Sequence, residues 1–354
     1  MTAPVFVVGT GRCGSTMLSN MLRKHPKLLS ISEFFSMVSD GGQFAAEMFT
    51  PEPVDGNRFW SIVSHLSGRF FLTLGLPFPE CLYPYEKPGA RFTAQTGVPG
   101  ILIATLPHLT DDYEALYDAL EAEIRTWPVA PVAVHYRHLF EWLRQHFGRE
   151  AWIERSGMGM EMVGQIRQMF PDARFVHLVR DGRDAAMSIN DHPPLRTWVA
   201  MMRLGELLGV NPFESGDRSN IDRVPPELRV FLPEYFDAEA VDRYRNPLPL
   251  CGQFWSNQIL AGMKALAPIP KDTLLTLRYE NFFTDAEGEL SKLTDFVGPE
   301  FADADWLARC AASVKSPRQT WRDLPADTLE ELNQACRPGF AALHAAGIDF
   351  GVPI

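Results

Sequence analysis

Apolar positions along the chain alternate between short continuous runs and helically spaced stretches. Residues 4–8, Pro-Val-Phe-Val-Val, form an unbroken apolar run that stops at a glycine, as a buried strand does. Ser15–Lys24 has helical spacing, with Ser15 at or near its N-cap. Leu28–Ser32 reads as a short second strand. Residues 40–130 read as a mostly helical insertion, broken by proline-rich loops around Leu76–Pro88 and Val98–Pro107. A helix over 134–147, a strand at Ala151–Glu154, a helix over 158–169 and a strand at Arg174–Val179 follow. Gly182–Ile189 starts a further helix, Cys251–Leu266 is helical, and Thr273–Arg278 is strand-like. The tail from Glu287 is helical except for a loop near 313–325. Strands alternating with helices predict an α/β fold, a mainly parallel central sheet flanked by helices. Such sheets bind ligands at the carboxyl ends of their strands.

The length, 354 residues, suits a single large α/β domain over 1–354, with insertions near 40–130 and 191–250. No internal repeat and no linker poor in apolar residues divides it. A hydrophobic fraction of 46% and a charged fraction of 22% exclude a chain disordered over most of its length. No run approaches the ~18 apolar residues of a membrane span. The N-terminus has no basic region or cleavage site, so it reads as a first strand and not a signal peptide. Five cysteines without a CxxC give neither a disulfide framework nor a zinc site, and a reducing cytoplasm is the expected compartment. The net charge of −11 argues against nucleic-acid binding, which needs a broad positive field, but leaves room for one small anion pocket.

That pocket has a candidate in Gly9-Thr10-Gly11-Arg12-Cys13-Gly14-Ser15-Thr16, between the first strand and the first helix. Glycines let the backbone approach an anion, and the N–H groups of a helix N-terminus point at it. Gly9 and Gly14 have the Walker spacing and Thr16 the Ser/Thr position, but Ser15 stands where the lysine belongs. The loop's cation is Arg12. A tight turn needed for packing alone is the competing reading, and the joint occurrence of strand, loop, cation and hydroxyls argues against it.

The loop resembles the 5′-phosphosulfate loop of sulfotransferases that use 3′-phosphoadenosine 5′-phosphosulfate (PAPS), in the arginine form found in bacterial and Golgi-type members. Leu22-Arg23-Lys24-His25-Pro26 resembles the segment that follows it in that family. A second resemblance lies in Arg180-Asp181-Gly182-Arg183-Asp184-Ala185-Ala186-Met187-Ser188 after the strand Arg174–Val179, with Phe170-Pro171-Asp172-Ala173-Arg174 before it. In the family this arginine and serine bind the nucleotide 3′-phosphate. By itself such a charge cluster is usually a solvated loop. The resemblance implies a P-loop-like sulfotransferase architecture. It implies nucleotide contacts from Gly11, Arg12, Cys13, Gly14, Ser15, Thr16, Arg180 and Ser188. A C-terminal loop would add Lys315, Arg318 and Arg322; Trp321 beside them is either part of that loop or core. Leu277–Phe282 also resembles a family segment and reads as structural. Where the family often has a lysine in a K-[ST]-P-like segment, this chain has Glu154-Arg155-Ser156-Gly157. Arg155 is therefore a candidate for phosphosulfate, for acceptor, or for an ion pair.

Sulfuryl transfer to an alcohol needs in-line attack, charge stabilisation and removal of the hydroxyl proton. The sulfuryl group carries one negative charge, so arginines can suffice and no metal is expected. His135 and His138 lack a third ligand and read as part of a surface helix. Relatives that use a glutamate carry it just after the second strand, where this chain has Glu33, followed by Phe34 and Phe35 to desolvate it. Glu33 can also be read as a cap of the next helix. Arg12 joins it as a catalytic candidate, and His192 is the alternative base. The expected partner is a small-molecule or lipid-like hydroxylated acceptor shaped by the two insertions. The product nucleotide would be 3′-phosphoadenosine 5′-phosphate (PAP). A P-loop kinase-like phosphotransferase, which would need magnesium, and a catalytically silent nucleotide-binding relative are the competing readings.

Overall fold

A computed structural model describes residues 3–315 and 320–352. It contains strands β1 (Val5–Val8), β2 (Leu28–Ser32), β3 (Leu66–Ser67), β4 (Val98–Pro99), β5 (Ala151–Arg155), β6 (Arg174–Val179) and β7 (Leu274–Arg278). Five of them form one sheet in the order β2-β5-β1-β6-β7, and every pairing in it is parallel. Helices flank it, as the alternation in the sequence predicts. β3 and β4 pair antiparallel inside the first insertion.

The chain divides into two compact units: residues 1–69, 80–181 and 258–318, and residues 70–79, 182–257 and 319–354. The first holds the five-stranded sheet. Strand residues point alternately to its two faces. On one face Val5, Val7, Ile153, Val176, Leu178 and Leu277 pack with Leu18 and Leu22 of helix α1 (Ser15–Leu22) and with Leu290, Leu293 and Trp306. On the other, Phe6 meets Phe35, Trp152, Phe170 and Phe175 at centroid distances of 5.0–6.0 Å. Every residue of β1 is buried, as a central parallel strand covered on both faces must be. Each such side chain contributes about 1.5–3 kcal/mol by leaving water. The second unit has its own core, built from Leu76, Ala200, Leu204, Leu208, Leu228, Phe231 and Val241. There the Trp255 ring lies against Gly182 and Gly339, where an added Cβ would come within 2.4 and 2.5 Å of it.

Several boundaries differ from expectation. The stretch 98–107 is not a loop: it holds β4 and the helices Gly100–Ile103 and Thr105–Leu109, with Pro107 in a first turn, where proline is tolerated. Residues 158–169 split into a 3-10 turn, Gly159–Met162, and the helix Val163–Met169. The helix Val132–His146 is not a surface helix at His135. That ring is buried, its Nε2 is 2.7 Å from the Val54 carbonyl oxygen, and it stacks on Phe59 and Trp127. His138 stacks on Trp127 at 4.1 Å. No described helix is long and apolar enough to cross a membrane.

His177 of β6 is fully buried, and neither ring nitrogen has a hydrogen-bond partner. Burial lowers its pKa to about 4. Between pH 4 and the unfolded value of 6.5 the unfolded chain binds the extra proton, so stability falls as pH drops through that window. His177→Leu should therefore flatten the acid side of the melting-temperature profile, and should not lower stability at pH 7, because it removes two unsatisfied nitrogens. Parallel profiles for the two proteins would contradict this.

Candidate active site

Because the sheet is parallel, all five strands end on one edge. Across it in sheet order come Glu33 after β2, Arg155 at the end of β5, the 9–14 loop after β1, Arg180 after β6 and Tyr279 after β7. The chain leaves β1 toward β2 on one side and leaves β6 toward β7 on the other. The topological switch point, where such sheets bind ligands, thus lies between β1 and β6. The glycine loop and Arg180 are the residues there.

Gly14, not Ser15, is the N-cap of α1, with φ 95°. A Cβ at this position would approach the Tyr279 ring to 2.1 Å, so both the backbone angle and the packing demand glycine. The cap has no side-chain hydrogen bond. Ser15 is buried and Thr16 exposed at the open end of the helix. Cys13 is buried in the core with Val7 and Leu178, so only its backbone belongs to the loop's outer surface; burial raises its thiol pKa. Gly9 is required as well, since a Cβ there would meet Cys13 Sγ at 2.6 Å and the Leu178 carbonyl oxygen at 2.7 Å. His25 ties down the end of the α1 segment. Its Nδ1 accepts the Lys27 and Leu28 N–H groups, both at 3.1 Å, leaving Nε2–H to donate to the Phe301 carbonyl oxygen at 2.9 Å.

Arg12 has φ 65°, in the left-handed region that costs a non-glycine residue about 1–2 kcal/mol. Its carbonyl oxygen accepts Arg180 Nη1–H at 3.1 Å, and the Arg180 guanidinium lies 4.6 Å from the Tyr279 ring centroid. Arg180 Nε is buried without a hydrogen-bond partner. Burial lowers the Arg12 pKa; Glu80 opposes the shift, and the charge of Arg180 adds to it. Two neighbouring guanidiniums at an uncapped helix N-terminus fit an anionic group of more than one charge. Arg180's neighbour Asp181 donates its N–H to Glu280 at 2.9 Å, which gives the segment after β7 its structural role.

Glu33 also lies in the left-handed region, at φ 56°. Its side chain does not cap the helix α2 (Phe34–Val38) that follows. One carboxylate oxygen, Oε1, pairs with Arg155 Nη1. Oε2 accepts the Ser36 hydroxyl at 2.6 Å and the Gly157 N–H at 2.8 Å. Arg155 is 2% exposed and also donates to Ser32 Oγ at 2.5 Å. Phe34 and Phe35 are fully buried in an aromatic cluster with Tyr136 and Phe140, so the groups that hold the carboxylate are polar. Behind the pair, buried Glu154 accepts the Ser156 hydroxyl at 2.6 Å and the Phe35 N–H at 3.4 Å.

The remaining candidates are placed as follows. Lys315 is exposed, and Arg318 lies outside the described residues. In the second unit Ser188 is half-buried on the helix Gly182–Asp191. His192 is buried and caps the helix Pro193–Leu208, its Nδ1 accepting the Leu195 N–H at 3.5 Å. Trp321 is half-buried rather than core: Arg183 stacks on its ring at 3.6 Å and exposed Arg322 at 4.4 Å, while its N–H donates to Asp184 at 2.8 Å. Arg183 and Asp184 of the R-D-G-R-D cluster are thus buried tethers to Trp321, not part of a solvated loop. The same unit has an open cavity of about 410 Å³ lined by Trp198, Met201, Met202, Val210 and Phe213 among others. Among the described residues no group of three or more His, Cys, Asp or Glu is arranged to hold a metal ion.

Sequence reasoning missed Glu80 beside Arg12 and the parts played by Tyr279, Ser36 and Gly157. Only Gly157 carried a signal, as a departure from the family's proline.

Residues 93–192 match the family model described as "Sulfotransferase family". The matched stretch spans β5, Arg155, β6, Arg180 and Ser188 of the sulfotransferase-like segment but not the glycine loop. No curated protein matches the chain. Among solved structures, the chain is similar to the sulfotransferase domain of the Synechococcus PCC 7002 olefin synthase. The identity is 16%, 94% of this chain and 95% of that chain are covered, and the TM-score is 0.41. The sulfotransferase domain from the curacin biosynthetic pathway gives 14% identity, 94% and 97% coverage and a TM-score of 0.43. A sulfotransferase from Mycobacterium avium gives 14%, 100% and 78%, and 0.43.

Burial raises the Glu154 pKa to about 8, against 4.5 when exposed. The folded protein holds that proton where the unfolded chain has lost it, so this contribution is full below pH 4.5 and is lost as pH rises through 8. Glu154→Gln, which mimics the protonated acid, should melt near wild type at pH 5 and above it at pH 9. A variant that stays level with wild type at pH 9 would contradict the assignment.

Proposed function

We propose that the protein is a sulfotransferase that moves the sulfuryl group of PAPS to a hydroxyl of a small-molecule or lipid-like acceptor. The observation that carries this reading is the pair of guanidiniums, Arg12 and Arg180, beside an uncapped helix N-terminus at the sheet's switch point, in a loop with serine where the Walker lysine would be. The family match adds the transferase class.

In this reading the loop N–H groups and Arg12 hold the 5′-phosphosulfate, and Arg180 holds the 3′-phosphate. The acceptor oxygen attacks sulfur in line and the bond from sulfur to the 5′-phosphate oxygen breaks. Negative charge developing on that oxygen meets the Arg12 guanidinium. The hydroxyl proton passes to the Glu33 carboxylate, and the products are a sulfate ester and PAP. The sulfuryl group brings one charge, so arginine suffices in place of a metal. Ser188, Lys315, Arg318 and Arg322 keep the nucleotide-binding roles that the family resemblance gives them. His192 is the alternative base, although its Nδ1 is already engaged by the Leu195 N–H. The insertions near 40–130 and 191–250 shape acceptor choice, and one domain-level activity spans 1–354.

The test is transfer of labelled sulfate from PAPS in the presence of a metal chelator. Glu33→Gln keeps the shape but cannot take the proton, and its NH2 group cannot accept from the donors that face both carboxylate oxygens, so it should lower transfer about 10²–10⁴-fold. Arg12→Ala should lower the rate more than it lowers PAP affinity, because its charge is needed most in the transition state. Turnover that requires magnesium and transfers a phosphoryl group would replace this reading with a kinase-type one. Loss of transfer in His192→Ala, with Glu33→Gln active, would reassign the base.

A further inference from the structure

The family's K-[ST]-P-like segment is replaced here by Arg155-Ser156-Gly157, and both replacements touch the same carboxylate. Arg155 Nη1 pairs with Glu33 Oε1. The Gly157 N–H donates to Glu33 Oε2 at 2.8 Å. Proline has no N–H and cannot make that bond. Gly157 also lies close: a Cβ there would stand 3.1 Å from Glu33 Oε1 and 3.4 Å from Oε2. From the other side Ser36 donates its hydroxyl to Oε2 at 2.6 Å, and the Glu33 N–H itself donates to the Arg155 carbonyl oxygen at 2.6 Å. Backbone and side chain of Glu33 are therefore both fixed by the end of β5.

A carboxylate offers about four lone-pair directions. Arg155, Ser36 and Gly157 take three, one on Oε1 and two on Oε2. One direction is left on Oε1, and the Glu33 side chain is 13% exposed. Fixed donors of this kind hold a reacting group in one geometry, which is where orientation effects on rate arise.

We infer that Arg155 and Gly157 are the positioning residues of Glu33, a clamp that leaves one Oε1 lone pair for the acceptor hydroxyl. This rests on Glu33 being the base. It gives Arg155 a different task from holding the donor's phosphosulfate, and it makes the glycine a functional exchange for the family's proline. Arg155 Nη2 anchors the clamp to β2 through Ser32 Oγ at 2.5 Å. The Ser32 carbonyl oxygen is in turn held by the Thr105 hydroxyl at 2.9 Å.

The test combines three readouts on wild type, Glu33→Gln, Arg155→Met, Arg155→Lys, Gly157→Pro and the double variant Glu33→Gln/Arg155→Met. They are single-turnover PAP release from PAPS with 2-naphthol as probe acceptor (water being the default acceptor), PAP affinity by calorimetry, and thermal melting. Arg155→Met and Gly157→Pro should each slow release about 10²-fold with PAP affinity within about twofold of wild type. Arg155→Lys, which keeps the charge and loses the fork, should fall between. The double variant should release PAP no more slowly than Glu33→Gln, because Arg155 acts through Glu33. In melting, Arg155→Met should cost stability alone and much less in the Glu33→Gln background. Multiplied losses in the double variant, or a tenfold loss of PAP affinity in Arg155→Met, would overturn the clamp and make Arg155 a donor-binding residue. Wild-type release in Glu33→Gln would remove the base reading itself, a separate result from either of these.

Discussion

Parallel pairing of five strands is the constraint on which the rest depends. In a parallel sheet every strand ends on the same edge, so chemistry placed after each strand converges without long loops. Here that edge collects Glu33, Arg155, the glycine loop, Arg180 and Tyr279 from five different strands. The central strand is buried on both faces, by aliphatic residues on one and the Phe6 aromatic cluster on the other. A slip of one residue in β1 would exchange those faces and turn the loop away from its neighbours, so core packing and site geometry are enforced by the same register.

The edge also concentrates local cost. Of the three described non-glycine residues with positive φ, two are Arg12 and Glu33. Each is over-determined by its surroundings. The Arg12 carbonyl is taken by Arg180, and Glu33 is held through its N–H and both carboxylate oxygens. Backbone strain persists only where neighbours insist on it, and sites are where that insistence is found. Positive charge is handled in the same way. Burial and the charge of Arg180 both disfavour the charge of Arg12, and Glu80 opposes them.

Much of this was legible in the sequence because it is local. The strand, glycine loop and helix are contiguous, and the missing lysine is one letter at a known spacing. The parallel sheet follows from alternating runs, and all five main strands appear within a residue or two of their read positions. What was not legible depends on partners distant in the chain. Position 14 must be glycine partly because of the Tyr279 ring, 265 positions away. Cys13 reads as a loop residue but is core. His135 reads as surface but finds the Val54 carbonyl. Arg183 and Asp184 look like a solvated charge cluster until Trp321 is seen against them. Arg155 and Gly157 read as departures from a pattern, and their common object, Glu33, lies on a different strand.

The central claim is that Arg180 and the glycine loop recognise a nucleotide carrying a separate 3′-phosphate. Calorimetric titration with PAP and with AMP, on wild type and Arg180→Ala, measures that recognition without any acceptor. A charge-assisted hydrogen bond to the extra phosphate contributes roughly 1.5–3 kcal/mol. PAP should therefore bind wild type at least tenfold more tightly than AMP, and Arg180→Ala should erase most of that difference while leaving AMP affinity nearly unchanged. Equal affinity of the wild-type protein for PAP and AMP would contradict the account.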